Sequence, residues 1–182
     1  MQYTDTKLKS NSDLVFLRTY EDGSKAVVKF IRDKENKGEE YRIMKLLSSK
    51  GIKVPRVLDY QEVDMVFVGE RFTEMIIMEY IAGDDLRRNF SKEETKKIAL
   101  QMLNLVEKVY KTGYQHGDIH SGNFIWDGKE LTLIDFGCSY KTDDYDDHDR
   151  DERCLSGCVS VLLGKRFGIK SIAEMRAMLE KR

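Results

Sequence analysis

The stretch HGDIHSGNF, His116 to Phe124, sets an acid, a second histidine and an amide among glycines. A second acid, Asp135, follows an apolar string in LTLIDFG. Asp118 and Asp135 both fall in short loops at strand ends. Two acids and an amide converging there suit a hard cation with oxygen ligands, most often Mg²⁺ held with a nucleotide. Asn123 can lend the same cation its carbonyl oxygen. A carboxylate left off the metal can take the proton of an attacking hydroxyl. Gly117, Gly122 and Gly137 let the backbone turn sharply and approach closely. A single acid of this kind would merely cap a turn, but several such residues in order are hard to reach by chance.

These loops need elements to hold them. DLVFLRTY and KAVVKFI are rich in β-branched and aromatic residues, with EDGS as the hairpin turn between them. NKGEEYRIMKLLSSKG carries Tyr41, Met44, Leu46 and Leu47 near helical spacing, and Gly51 caps its end. Pro55 stops that helix from continuing. VDMVFVG and FTEMIIMEYI read as two more strands, with Gly69 at the turn. Then the pattern changes. Ser91 and Glu94 form a capping box ahead of Ile98, Met102, Leu105, Val106 and Val109, a helix ending at Gly113. Short strands NFIW and LTLI flank the two loops. One further helix is expected from near Asp149 to Leu163, and another from Ser171, boxed with Glu174. A strand-rich half thus precedes a helical half, joined near Ala82 and Gly83. The expected fold is α+β in two lobes, with a cleft at the joint.

Composition narrows the function classes. The chain has 182 residues, with 31 basic against 32 acidic side chains. That length fits one domain with a real core, and the near-zero charge supplies no global field toward nucleic acid or membrane. Charges interrupt every apolar run, so no membrane span is expected, and the polar opening MQYTDTKLKSNSD lacks a signal-peptide core. Three cysteines are an odd number, which points to a reducing, cytoplasmic location. Cys154 and Cys158 lie one helical turn apart; without further metal-ligand spacing they read as two small apolar residues.

HGDIHSGN resembles the catalytic loop of the protein-kinase-like superfamily, and DFG resembles its metal-binding signature. The resemblance extends over nearly the whole chain. AVVK is similar to the strand motif ending in the phosphate-binding lysine, here Lys29. EYRIMKLL is similar to the helix whose glutamate pairs with that lysine, which would be Glu40, with Glu39 the neighbouring alternative. MIIMEYIAG is similar to a hinge that holds adenine, with Met78 as gatekeeper and Glu79 and Ile81 offering a carbonyl and an N–H. Asp85 would then lie near the ribose. The resemblance implies one kinase-like domain over 1–182, with an antiparallel-sheet N-lobe at 1–81 and a truncated helical C-lobe at 82–182. It implies ATP and Mg²⁺, with Lys29 on the phosphates, Asn123 and Asp135 on the metal, and Asp118 on the acceptor hydroxyl. His116 and Phe136 are expected to brace the loops.

The departures bear on the acceptor. SNSD, Ser10 to Asp13, stands where a Gly-rich phosphate loop is usual; Ser10 and Ser12 hydroxyls could cradle phosphate, or the segment is a plain turn. Gly117 replaces the arginine that pairs with a phosphorylated loop, so switching of that kind is not expected. His120 stands where most protein kinases have lysine, either contacting phosphate or Asp118 or bracing the loop. No APE follows, and the segment after DFG leaves no room for the usual peptide-docking helices, so a reduced kinase is expected. TDDYDDHDRDE reads first as a solvated acidic loop. If it bordered the acceptor, Asp143, Asp144, Asp146 and Asp147 would favour a cationic one, and His148 reads as solvated. Asp151, with Asp149 as its rival, is expected to brace the catalytic loop.

HGD-x-H-x-x-N is similar to aminoglycoside, choline and lipopolysaccharide core sugar kinases, and HGD also occurs in RIO-type kinases. The favoured acceptor on sequence alone is a hydroxyl of a small molecule or sugar. The alternative is an atypical Ser/Thr protein kinase of RIO-like type. A nucleotide-binding scaffold is less favoured, because Lys29, Asp118, Asn123 and Asp135 are all present. The final helix carries Ile172, Met175 and Leu179 on one side, expected to pack on its own lobe, with a partner protein's surface as the less favoured use.

Overall fold

The computed structural model describes residues 2–10, 13–34, 36–144, 150–165 and 168–181. They form two compact units. The first comprises residues 1–48 and 55–80, and the second residues 49–54 and 81–182.

The first unit is an antiparallel five-stranded sheet and one helix. Strands β1 (Tyr3–Lys7), β2 (Leu14–Tyr20), β3 (Lys25–Arg32), β4 (Val57–Phe67) and β5 (Glu70–Glu79) lie in the order β1-β2-β3-β5-β4. The central β3 buries Ala26, Val28 and Ile31. With a period of two, Lys29 shares a face with Val27 and Ile31. Helix α1 (Glu39–Ser49) lies against that face and buries Glu40, Ile43, Met44 and Leu47. The β4–β5 hairpin closes through Val68 and Gly69, both at positive φ (49° and 80°), as the twist of a two-residue turn demands.

Two strands extend the sequence expectation. β1 is exposed along its whole length and holds to β2 in the register Tyr3↔Tyr20 through Lys7↔Phe16. β4 starts at Val57, well before the VDMVFVG run, and bulges between Val57 and Asp59 and again between Glu62 and Met65. Those bulges break the period-two pattern that would have revealed it.

The second unit is built on α2 (Lys92–Tyr110), capped by the Ser91–Glu94 box. The expected apolar stripe of Ile98, Met102, Leu105, Val106 and Val109 is buried, joined by Ala99 and Leu103. Helices α3 (Arg150–Leu162) and α4 (Ile172–Glu180) pack on it, and Ile172, Met175 and Leu179 are buried within this unit. Two small sheets complete it. One orders β6 (Asp84–Asp85), β8 (Phe124–Trp126) and β9 (Leu131–Leu133); the other pairs β7 (Tyr114–Gln115) with β10 (Tyr140–Lys141). Residues 49–54 group here because Leu133 N–H donates to Lys53 O (3.0 Å) and Lys53 pairs with Glu130 (2.7 Å). A cut at 81/82 does not anticipate this.

Among the described residues no helix is long and apolar enough to cross a membrane. The three cysteines form no disulfide; Cys154 is exposed and Cys158 half-buried, so only Cys158 behaves as the expected small apolar residue.

Candidate active site

In the first unit, Lys29 Nζ lies 2.8 Å from Glu40 Oε1 and 3.1 Å from Asp13 Oδ2. All three side chains are nearly closed to solvent, at 6% exposure each. The geometry selects Glu40 over Glu39 as the lysine's helical partner. Asp13 belongs to the SNSD turn, and sequence reasoning gave it no role. Two carboxylates on one lysine leave this group with net negative charge. Ser10 Oγ accepts the Asp13 N–H at 3.4 Å and so supports the turn. Ser12 lies outside the described residues.

A second missed residue fixes the start of α1. Glu74 is 2% exposed, and its Oε2 accepts the Gly38 N–H (2.7 Å) and the Tyr60 hydroxyl (3.2 Å). The N–H groups of a helix start favour a carboxylate. Burial, then the Glu74 charge, pushes the Tyr60 hydroxyl up. Glu74 was legible: it alternates with Phe72, Ile76 and Met78, so a period-two strand places an acid in the buried register. Met78 is buried in β5 opposite Val27 and Val57, and Glu79 N–H donates to Arg56 O (2.9 Å).

In the second unit, the catalytic-type loop hangs on Asp151. Its carboxylate is fully buried; Oδ2 accepts the His116 N–H at 2.6 Å and Oδ1 the Gly117 N–H at 3.0 Å. Burial pushes the Asp151 carboxyl up, and the two N–H groups pull against that rise. Asp149, its rival on sequence, lies outside the described residues, as do Asp146, Asp147 and His148. Asp143 is exposed. The glycine at 117 has a steric cause. Its φ is +79°, and a Cβ there would sit 2.1 Å from Cys138 O, so no arginine fits.

His116 is buried with its ring edge-on to Phe136, 4.8 Å between centroids. Its Nε2 meets Ile134 O at 3.0 Å and its Nδ1 accepts the Asp118 N–H at 3.2 Å. Both contacts suit the neutral ring, and burial lowers the His116 pKa. Asp118 itself is about half exposed; Asn123 Nδ2 donates to Asp118 O (2.9 Å) and Asp118 Oδ2 (3.2 Å). Asn123 is buried in the short 3-10 turn Ser121–Asn123, and its main-chain O accepts the Ile134 N–H (2.9 Å). That bond ties the loop to the strand leading into DFG. Asp135 is exposed and adopts φ +65°, a conformation aspartate tolerates better than most residues.

Ile81 is half-buried, and Asp85 sits in β6 with both oxygens on Arg87: Oδ1 accepts its main-chain N–H (2.9 Å) and Oδ2 its Nε (3.0 Å). That guanidinium holds the Asp85 carboxyl below the usual carboxylate range.

The donor set fits a hard cation. Asn123 spends its N–H₂ on Asp118, so its amide oxygen is the atom left to offer, and Asp135 adds carboxylate oxygens. Oxygen ligands of this kind suit Mg²⁺ rather than a soft metal.

The paired lysine and helical glutamate on an antiparallel sheet, and the separately braced Asp–Asn loop beside helices, define a reduced protein-kinase-like fold. The family model described as RIO domain matches residues 2–162, so the chain belongs to the RIO domain family, an atypical branch of that superfamily. It is 32% identical over 127 residues to "Serine/threonine-protein kinase 1" of African swine fever virus (isolate Tick/Malawi/Lil 20-1/1983), covering 65% of this chain and 40% of the relative. It is 30% identical over 107 residues to "KEOPS complex subunit Bud32" of Pyrococcus abyssi, covering 57% and 44%. It is 28% identical over 130 residues to "Serine/threonine-protein kinase rio2" of Dictyostelium discoideum, covering 71% and 23%. In each case the match spans less than half the relative's length.

Proposed function

We propose that the chain is an ATP- and Mg²⁺-dependent phosphotransferase that moves the γ-phosphoryl group to a serine or threonine hydroxyl of a protein. The observation that carries this is the seating of Asp118. Its carboxylate is half open to solvent, yet its loop is clamped by a buried Asp151 and Asn123. A carboxylate so held can orient an incoming hydroxyl and take its proton as the oxygen bonds to phosphorus and the bond to the leaving ADP breaks. Lys29, held by Glu40, offers a point charge to the phosphates. Met78, Glu79, Ile81 and Asp85 serve the nucleoside, and Ser10 and Ser12 the phosphate side. Asn123 and Asp135 would hold Mg²⁺, which when bound neutralises charge on the transferring group.

A small-molecule or sugar acceptor, favoured on sequence by HGDIH, the missing docking helices and the likeness to lipopolysaccharide core kinases, gives way here to a protein hydroxyl. Two of the relatives above bear the name serine/threonine-protein kinase, one of them a rio2 kinase. A partner protein is proposed as well, since another relative is named as a complex subunit. The odd cysteine number supports a cytoplasmic location.

The test uses γ-labelled ATP, Mg²⁺ and a cell extract, with the wild type beside Asp118→Asn. Label on serine or threonine of discrete proteins, lost in the variant, is expected. Asp118-dependent label on small molecules or glycolipid would overturn the protein acceptor and restore the sugar-kinase alternative.

A further inference from the structure

We infer that His120 is a positioning residue for Asp118, assigning Oδ2 to structural contacts and Oδ1 to the acceptor's proton; this rests on the function proposed above. His120 opens the 3-10 turn in an extended conformation (φ −151°, ψ 165°), and its Nδ1 accepts the Gly122 N–H at 3.0 Å. With Nδ1 committed as an acceptor, the neutral ring carries its proton on Nε2. That nitrogen lies 3.5 Å from Asp118 Oδ2. Asn123 Nδ2 approaches the same oxygen at 3.2 Å. Asn123 Nδ2 thus donates to Oδ2 and His120 Nε2 stands beside the same oxygen at electrostatic range, and neither is on Oδ1. A carboxylate tethered at one oxygen keeps the other oriented toward the acceptor, which a base requires at the moment of proton transfer.

Gly122 is part of the device. A Cβ at that position would lie 3.0 Å from His120 Cε1 and 3.1 Å from Nδ1, so a larger residue would press on the ring where it is seated. The spacing His-x-Gly-Asn thus places the imidazole and the amide on one side of one carboxylate. At 3.5 Å and with the ring 55% exposed, the contact is chiefly electrostatic and modest in stability, so its consequence is in turnover.

Two substitutions separate the ring's two nitrogens. In His120→Asn the amide oxygen reproduces the Nδ1 acceptor and the turn cap, but nothing replaces Nε2–H. In His120→Gln the amide N–H₂ reaches the Nε2 position, and the cap is lost. The assay follows γ-label from Mg²⁺-ATP into inorganic phosphate and into the chain itself, with Tm measured alongside. The expected result is a kcat about tenfold lower in His120→Asn, with KM for ATP and Tm unchanged. His120→Gln should stay within about threefold of wild-type kcat despite a lower Tm. Wild-type kcat in His120→Asn overturns the inference alone, as does a loss in His120→Gln that matches His120→Asn. Wild-type turnover that Asp118→Asn does not diminish overturns both this inference and the phosphotransfer function.

Discussion

Asp151→Ala removes the acceptor for two buried N–H groups, His116 at 2.6 Å and Gly117 at 3.0 Å, from a position with no solvent exposure. Each orphaned N–H costs about 1–3 kcal/mol. The variant regains part of the cost of burying a carboxylate, which shows as the raised Asp151 pKa. The net expectation is a loss of about 3 kcal/mol. For a chain of this size that lowers Tm by roughly 6–12 °C. Asp151→Asn keeps one acceptor oxygen but turns an amide N–H₂ toward the other N–H, so it should fall between the wild type and alanine. The assay is thermal and urea unfolding followed by circular dichroism, with Mg²⁺-ATP turnover measured at a temperature where every variant is folded. Turnover should drop with the clamp, because Asp118 follows directly on the two clamped residues. A Tm change below about 2 °C in Asp151→Ala would refute the claim that this carboxylate holds the loop.

Other consequences follow from the same geometry. Asp13→Asn removes a carboxylate charge from beside Lys29, so ADP binding without Mg²⁺, followed by calorimetry, should tighten by roughly five- to thirtyfold; an unchanged Kd would mean that Asp13 does not oppose phosphate. Glu40→Gln should cut kcat/KM by about a hundredfold while Glu39→Gln leaves it unchanged, and equal effects would undo the assignment of the helical partner. His116 has a folded-state pKa below its ordinary value, so the unfolded chain binds its proton first as pH falls. Its contribution to stability is therefore intact above about pH 6.5 and declines below it by up to about 1.4 kcal/mol per pH unit, until the folded-state pKa is reached. Urea midpoints measured from pH 7.5 to 5 should show that decline in the wild type and a flatter profile in His116→Gln.

Much of this molecule is readable from local chemistry. Both capping boxes, Ser91–Glu94 and Ser171–Glu174, form as their spacing dictates, and the α2 stripe is buried as its period requires. The turn at Gly69 is equally local. β1 was not legible, because Tyr3–Lys7 is exposed throughout and held by ladder bonds that leave no apolar alternation. Glu74 could have been found from its buried register, but its partners Gly38 and Tyr60 lie far along the chain. Asp13 offered no such signal. A turn acid meets a strand lysine only after the sheet has formed, and pattern alone does not report that encounter. Gly117 was legible as a departure from the arginine form of the motif, whereas its cause, the Cys138 carbonyl, is a contact across the fold.

Phosphotransfer as proposed requires the Asp118 carboxylate to orient the acceptor hydroxyl and take its proton. The most direct test compares purified wild type with Asp118→Asn, at matched Tm, for transfer of label from γ-labelled Mg²⁺-ATP. A loss of at least about a hundredfold in the variant, with ATP affinity retained, is the predicted result. Equal transfer by the two proteins would contradict it, and the clamped loop would then be a structural feature of a nucleotide-binding scaffold.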